Sequence, residues 1–282
     1  MKSVRLFEKK ISKITSIPKR LLYARASSQH VIPPILLNSF PKSGTHLLDQ
    51  ILSSLPEVQD FGRFIASMPS ISQKQRGVQK TLSLLEKQLP GELIRAHIFY
   101  HPQLDEYLNT RQSICFFIYR DPRDVAISEA NYLYDMNKFH KLHFYYKRFD
   151  SINDRIKFAI LGNQFYQTSV FYPDIRERFS LYKPWIDSPI VFSVRYEDLT
   201  GSDKNTWVHN IVKHFSDKTG IAFTDDLVES ALLAINPEKS HTFRQGGREK
   251  WKTYFTDEHK EMFKEIAGDL LIELGYETHR NW

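Results

Sequence analysis

Apolar residues along this chain follow two rhythms that alternate, short continuous runs and longer stretches at helical spacing. Ile35-Leu36-Leu37 is a continuous run of the kind that suits a strand buried on both faces of a parallel sheet. A loop from Ser39 to Thr45 closes it, and Leu47, Leu48, Ile51, Leu52 and Leu55 then recur at helical spacing. Leu93 to His97 predicts a second strand, Ser113 to Tyr119 a third and Pro189 to Val194 a fourth. Val125-Ala126-Ile127 opens a helix after the third strand, and further helical stretches are predicted around 151–179 and from Asp257 to Leu274. Ahead of the first run, Val31-Ile32-Pro33-Pro34 reads as extended, because proline biases its predecessor away from helix.

Strands of near-continuous apolar character alternating with helices predict an α/β fold, a central parallel sheet flanked by helices on both faces. The sequence shows no internal repeat, low-complexity tract or linker, so a single domain is expected over 31–282, preceded by a basic helical arm over 1–30.

Composition narrows the function classes. The chain's 282 residues are enough for one large core, and its 41% hydrophobic and 26% charged residues are ordinary for a globular protein. One cysteine, Cys115, inside an apolar strand, excludes an internal disulfide framework and a cysteine-based metal site, and fits a cytoplasmic setting. The net charge of +6 is concentrated: residues 1–30 hold eight basic residues against Glu8 alone, which leaves the remainder at −1. A general nucleic-acid surface is therefore not expected. No apolar run reaches the roughly 18 residues of a membrane span, and the N-terminus lacks the apolar core of a secretory signal. Val4, Phe7, Ile11 and Ile14 recur at helical spacing among lysines, which favours a helix packed on the domain or frayed in solvent over a membrane-touching, partner-binding or transit segment, because most amphipathic helices simply bury one face.

The candidate chemistry starts in the loop after the first strand. A strand-to-helix loop presents unpartnered backbone N–H groups and the positive end of a helix dipole, a ready anion site. Lys42 adds a cation, Ser43 and Thr45 hydroxyls, and Gly44 close backbone approach. The loop is not a Walker A sequence, because Leu36 and Pro41 stand where that motif requires glycine.

Pro41-Lys42-Ser43-Gly44-Thr45-His46 closely resembles the 5′-phosphosulfate loop of sulfotransferases that use 3′-phosphoadenosine 5′-phosphosulfate (PAPS). Arg120-Asp121-Pro122-Arg123-Asp124, continuing to Ser128, resembles that family's 3′-phosphate segment. Tyr196-Glu197-Asp198-Leu199 and the late Phe243-Arg244-Gln245-Gly246, followed by Trp251-Lys252, are similar to two further family elements in the same order.

The resemblance implies a P-loop-like fold and PAPS as co-substrate, with no metal. It places Lys42, Ser43, Gly44, Thr45 and His46 on the 5′-phosphosulfate and Arg120 and Ser128 on the 3′-phosphate. Phe243, Arg244, Gln245 and Gly246 then close over that phosphate, and Lys42 also stabilises the leaving oxygen. His97 matches the family's base, with His101, Glu57 and Asp60 as alternatives. Leu47 stands where many members stack a Trp on the adenine, so adenine contacts are expected from Tyr196 as well.

Lys252, Thr256 and Glu261 keep the spacing of a family dimer segment, but Asp257 replaces its apolar residue, so a monomer or weak homodimer is expected. The acceptor is expected to be a small-molecule hydroxyl or amine. Loops 61–92, 132–150 and 235–250 would wall it, with Tyr132, Tyr134, Phe139, Tyr145, Tyr146 and Phe149 as aromatic candidates for pocket, lid or core. Glu129 and Asp135 point toward a cationic acceptor. Two other classes remain open, a nucleotide-dependent kinase and a non-catalytic protein binding through its basic arm. His140 and His143, at helical spacing, lack a third ligand, so a metal site there is not expected.

Overall fold

The computed structural model describes residues 18–24, 32–236 and 247–282. The N-terminal half alternates strand and helix: β1 (Ile35–Ser39), α1 (Thr45–Ser53), β2 (Phe64–Ala66), α2 (Val78–Leu85), β3 (Leu93–His97), α3 (Pro102–Thr110), β4 (Ile114–Tyr119) and α4 (Pro122–Asn131), of which β1, α1, β3, β4 and α4 are the ones the sequence predicts. A π-helical turn, Tyr132–Met136, continues α4. Then come α5 (His143–Tyr146), α6 (Ile152–Leu161), α7 (Ile175–Ser180), α8 (Pro184–Asp187), β5 (Val191–Arg195), α9 (Tyr196–Thr200), α10 (Lys204–Thr219), α11 (Asp225–Leu233), α12 (Trp251–Tyr254) and α13 (Asp257–Glu273).

The strands form one sheet in the order β2-β3-β1-β4-β5, with every pairing parallel. Successive side chains in a strand point to opposite faces, and the core divides accordingly. Leu36, Ile94, Cys115 and Phe117 face a layer containing α2, α3, α4, α6 and α13. Ile35, Leu37, Phe116 and Ile118 face α1, α10 and α11. Cys115 is inert core, its thiol pushed up to about 12 by burial.

The sheet order fixes where a ligand goes. The chain leaves β1 toward β2 on one side and leaves β4 toward β5 on the other, so a crevice opens beyond the carboxyl ends of β1 and β4. The loops after those two strands carry Lys42 and Arg120.

Two predicted elements change and one strand is new. The stretch around 151–179 is two helices, because Gly162 sits at φ 56° and a side chain there would strike the Tyr172 carbonyl. The fourth predicted strand begins at Val191, past Pro189. The three-residue β2, at the sheet edge, is too short to leave a period in the sequence. Most of the predicted basic arm lies outside the described residues. Residues 18–24 are helical and dock on the domain, with Arg20 and Arg63 both pairing with the buried Glu92.

Candidate active site

The loop between β1 and α1 is built for close approach. Lys42 and Gly44 have φ of 68° and 98°, and a Cβ on Gly44 would lie 2.5 Å from Cδ2 of the Tyr196 ring. Phe40 N–H donates to the Ile118 carbonyl at 3.2 Å, tying the loop to β4. The first turn of α1 follows directly, with N–H groups that no earlier helical carbonyl can accept. Ser43 Oγ is buried and has no hydrogen-bond partner. The Lys42 ammonium lies 3.5 Å from the centre of the Tyr132 ring. Burial lowers its pKa to about 7, against the pull of Glu129 and with a smaller push from Arg120.

Arg120 follows β4. Its Nη2 donates to Asp124 Oδ2 at 2.9 Å and to the Gly247 carbonyl at 2.7 Å, and its guanidinium lies 4.4 Å from the Tyr196 ring centre. Asp124 is held in turn by the backbone N–H of Trp251 at 3.0 Å. Arg120 Nε is buried without a partner. Ser128, two turns along α4, lines the same cavity. Arg123 is part of the scaffold: it lies 3.9 Å from the Trp251 ring and 4.5 Å from Trp282, and pairs with Asp121 and Glu277.

His97 ends β3, beside β1. Its Nδ1 is 3.0 Å from the Ser39 carbonyl and 3.0 Å from Ser39 Oγ, which also contacts Thr45 Oγ1 at 2.7 Å. A carbonyl oxygen only accepts, so Nδ1 carries the proton and Nε2 the lone pair. The Phe64 ring braces the imidazole edge-on at 4.9 Å. Burial lowers the His97 pKa to about 4, opposed by the Ser39 hydrogen bond and aided by Lys42, so the ring is neutral at pH 7.

Of the other base candidates, Asp60 lines the same cavity but is held in an ion pair. His101 caps α3, its Nδ1 accepting from the Gln103 N–H. Arg95 donates to Asp60 at 2.6 Å and to Asp49 at 2.8 Å. Glu57 is outside the cavity lining.

One cavity of about 1300 Å³ joins these groups. Lys42, Gly44, Thr45, His46, Leu47, Arg120, Ser128, Tyr196 and His97 all line it. The predicted Phe243, Arg244, Gln245 and Gly246 lie outside the described residues.

Beyond His97 the walls turn aromatic, with Phe40, Phe64, Phe99, Tyr132, Phe171 and Tyr182. Of the six aromatics singled out between 132 and 149, only Tyr132 lines the cavity. Tyr146 is buried against Tyr172, their hydroxyls 2.6 Å apart, and Phe149 packs on Phe158 and Phe165. Tyr145 bonds Ser169, Tyr134 lies under Lys147 and Arg155, and Phe139 faces solvent.

The sequence reading missed the wall from Phe171 to Tyr182, including Arg178, which neutralises Glu129 at 2.5 Å. That pairing removes the motive for a cationic acceptor at Glu129. His140 and His143 accept from or face backbone groups of Leu142 and Leu133. Among the described residues no group of three or more His, Cys, Asp or Glu side chains could hold a metal.

A family model described as the sulfotransferase domain matches residues 33–275. No curated protein matches the chain by sequence. In fold the chain is similar to mouse sulfotransferase SULT7A1 complexed with PAP, at TM-score 0.57 and 19% identity, over 86% of this chain and 88% of that one. It is also similar to retinol dehydratase in complex with androsterone and inactive cofactor PAP, at TM-score 0.52 and 17% identity, over 84% of this chain and 80% of that one.

Proposed function

Because the chain belongs to the sulfotransferase domain family, we propose that it transfers the sulfuryl group of PAPS to a hydroxyl or amine of a small-molecule acceptor, with His97 as the base. The observation that carries this reading is one crevice that brings Lys42, Gly44 and Thr45 of the loop after β1 together with Arg120 and Ser128 after β4, where the buried Arg120 Nε has no partner. A buried donor left unmade costs about 1–3 kcal/mol, so Arg120 Nε fits a group that a ligand satisfies. A nucleotide with phosphate at each end suits the two loops.

In this reading Lys42, Ser43, Thr45 and the first turn of α1 hold the 5′-phosphosulfate. Arg120 and Ser128 hold the 3′-phosphate, with the segment at 243–246 completing it. PAPS supplies the sulfuryl group and a phosphate leaving group. His97 Nε2 takes the acceptor's proton as the new O–S or N–S bond forms. Lys42 neutralises the charge that gathers on the leaving oxygen. Aromatic walls beyond His97 orient the acceptor and exclude water. The carboxylate at Asp257, exposed and paired with Lys260 at 2.9 Å, supports a monomer or weak homodimer. Incubation with radiolabelled PAPS and a panel of phenols, alcohols and amines tests the reading. Label should move to at least one acceptor class, and no transfer by wild-type protein to any class argues against it.

A further inference from the structure

Around the acceptor half of the cavity, three chain segments are pinned into one rim. Lys141 N–H donates to the Ser70 carbonyl at 2.9 Å, Tyr145 and Ser169 share a hydrogen bond of 2.8 Å, and Phe149 packs on Phe165 with ring centres 5.6 Å apart. Segments 70–74, 136–148 and 165–171 thus lie side by side, and Ser70, Gln73, Met136, His140 and Phe171 from them line the cavity.

This rim has two unusual properties. Ile71, Phe139 and Phe144 stand 78%, 69% and 61% exposed and are grouped on this one rim. Lys74, Lys138, Lys141, Lys147 and Arg148 are exposed among them. The three segments contain no Asp or Glu at all, Asp135 and Asp150 lying just outside. Outside these segments the chain is close to balanced, with 34 basic against 33 acidic residues.

We propose that this rim docks on an anionic phospholipid bilayer, with the acceptor half of the cavity facing the membrane. Separate apolar tips, each flanked by cations, suit a bilayer interface. The rings enter the acyl boundary while the lysine ammonium groups stay at the headgroups. A protein partner would instead favour a contiguous apolar patch with few lysines. Among the described residues no helix is long and apolar enough to cross a membrane, so the contact is peripheral. The consequence for the acceptor rests on the sulfotransferase reading: it is an amphiphile whose hydroxyl or amine reaches His97 from the lipid surface.

Co-sedimentation of the full chain with sucrose-loaded vesicles tests the docking. Phosphatidylcholine alone is compared with phosphatidylcholine containing about 30% phosphatidylglycerol, at salt from about 0.1 M to about 0.5 M. The wild-type protein should pellet with the anionic vesicles and leave them at high salt. Lys138→Glu/Lys141→Glu should lower partitioning at least about 30-fold, roughly five- to sixfold per cation. Phe139→Ser/Phe144→Ser should weaken it at least about tenfold, whereas Leu233→Ser, 77% exposed outside the rim, should leave it unchanged. Unligated melting temperatures equal to wild type establish that the variants fold.

Vesicle binding by the rim variants equal to wild type overturns the proposal, as does wild-type protein that ignores anionic vesicles. Self-association abolished by Phe139→Ser/Phe144→Ser, without vesicle binding, assigns the rim to a second copy of the chain and overturns it too. Since no donor is present, these outcomes are separate from the fate of the PAPS reading.

Discussion

The Nδ1 of His97 and the main-chain carbonyl of Ser39 lie 3.0 Å apart, and this contact joins the base candidate to the strand that launches the anion loop. It fixes the tautomer, so Nε2 is the atom available to a substrate. His97→Asn should therefore lower kcat by about 100- to 10,000-fold, the usual contribution of a general base. Affinity for 3′-phosphoadenosine 5′-phosphate (PAP) should be unchanged, as isothermal titration can check.

The pH profile follows from the same burial. A base must be unprotonated to act, and the His97 pKa is lowered to about 4. Activity should persist at pH 5–6, where an ordinary imidazole is largely protonated, and be lost as pH falls through about 4. A limb near 6.5 in kcat/KM would contradict this environment for His97.

Lys42 governs the other limb. The ammonium form binds an anion better, and in the free protein its pKa is lowered to about 7. Below pH 7 the lysine is already charged, so PAP affinity should be flat. Above it, binding must take up a proton, and affinity should fall up to about tenfold per pH unit until the raised pKa of the complex is reached. Calorimetry in buffers of different ionisation enthalpy should show proton uptake at pH 8 and little at pH 6.

Arg123 should matter for stability more than for binding. It is buried between Trp251 and Trp282 and paired with Asp121 and Glu277. Arg123→Met leaves a buried carboxylate uncompensated and should cost about 3–5 kcal/mol of unfolding free energy, measurable by urea denaturation.

How much of this was legible in the sequence differs by element. β1, its loop and α1 could be read because an apolar run, a polar loop and a helical period follow one another within about 20 residues. Arg120 was legible through the resemblance of its segment to the family's 3′-phosphate element, since an arginine at a strand end by itself reads as an ordinary ion pair. Arg178 was not, because its significance comes from Glu129, distant in sequence and adjacent only once α7 packs beside α4. The aromatics from 132 to 149 stayed open among pocket, lid and core for a related reason. Local pattern does not tell a ring that lines a cavity, like Tyr132, from one sealed beneath it, like Tyr146. Gly162 could have been taken as a helix end, but the apolar period on both sides masked it.

The most direct test of the account is thermal unfolding with PAP beside AMP and ATP·Mg²⁺. At roughly 100 times its dissociation constant, PAP should stabilise the fold by about 2.7 kcal/mol, a shift of several degrees. The account predicts that shift for PAP, little for AMP or ATP·Mg²⁺, and its loss in Arg120→Ala. A shift with ATP·Mg²⁺ and none with PAP would contradict the sulfotransferase reading and point to phosphoryl transfer.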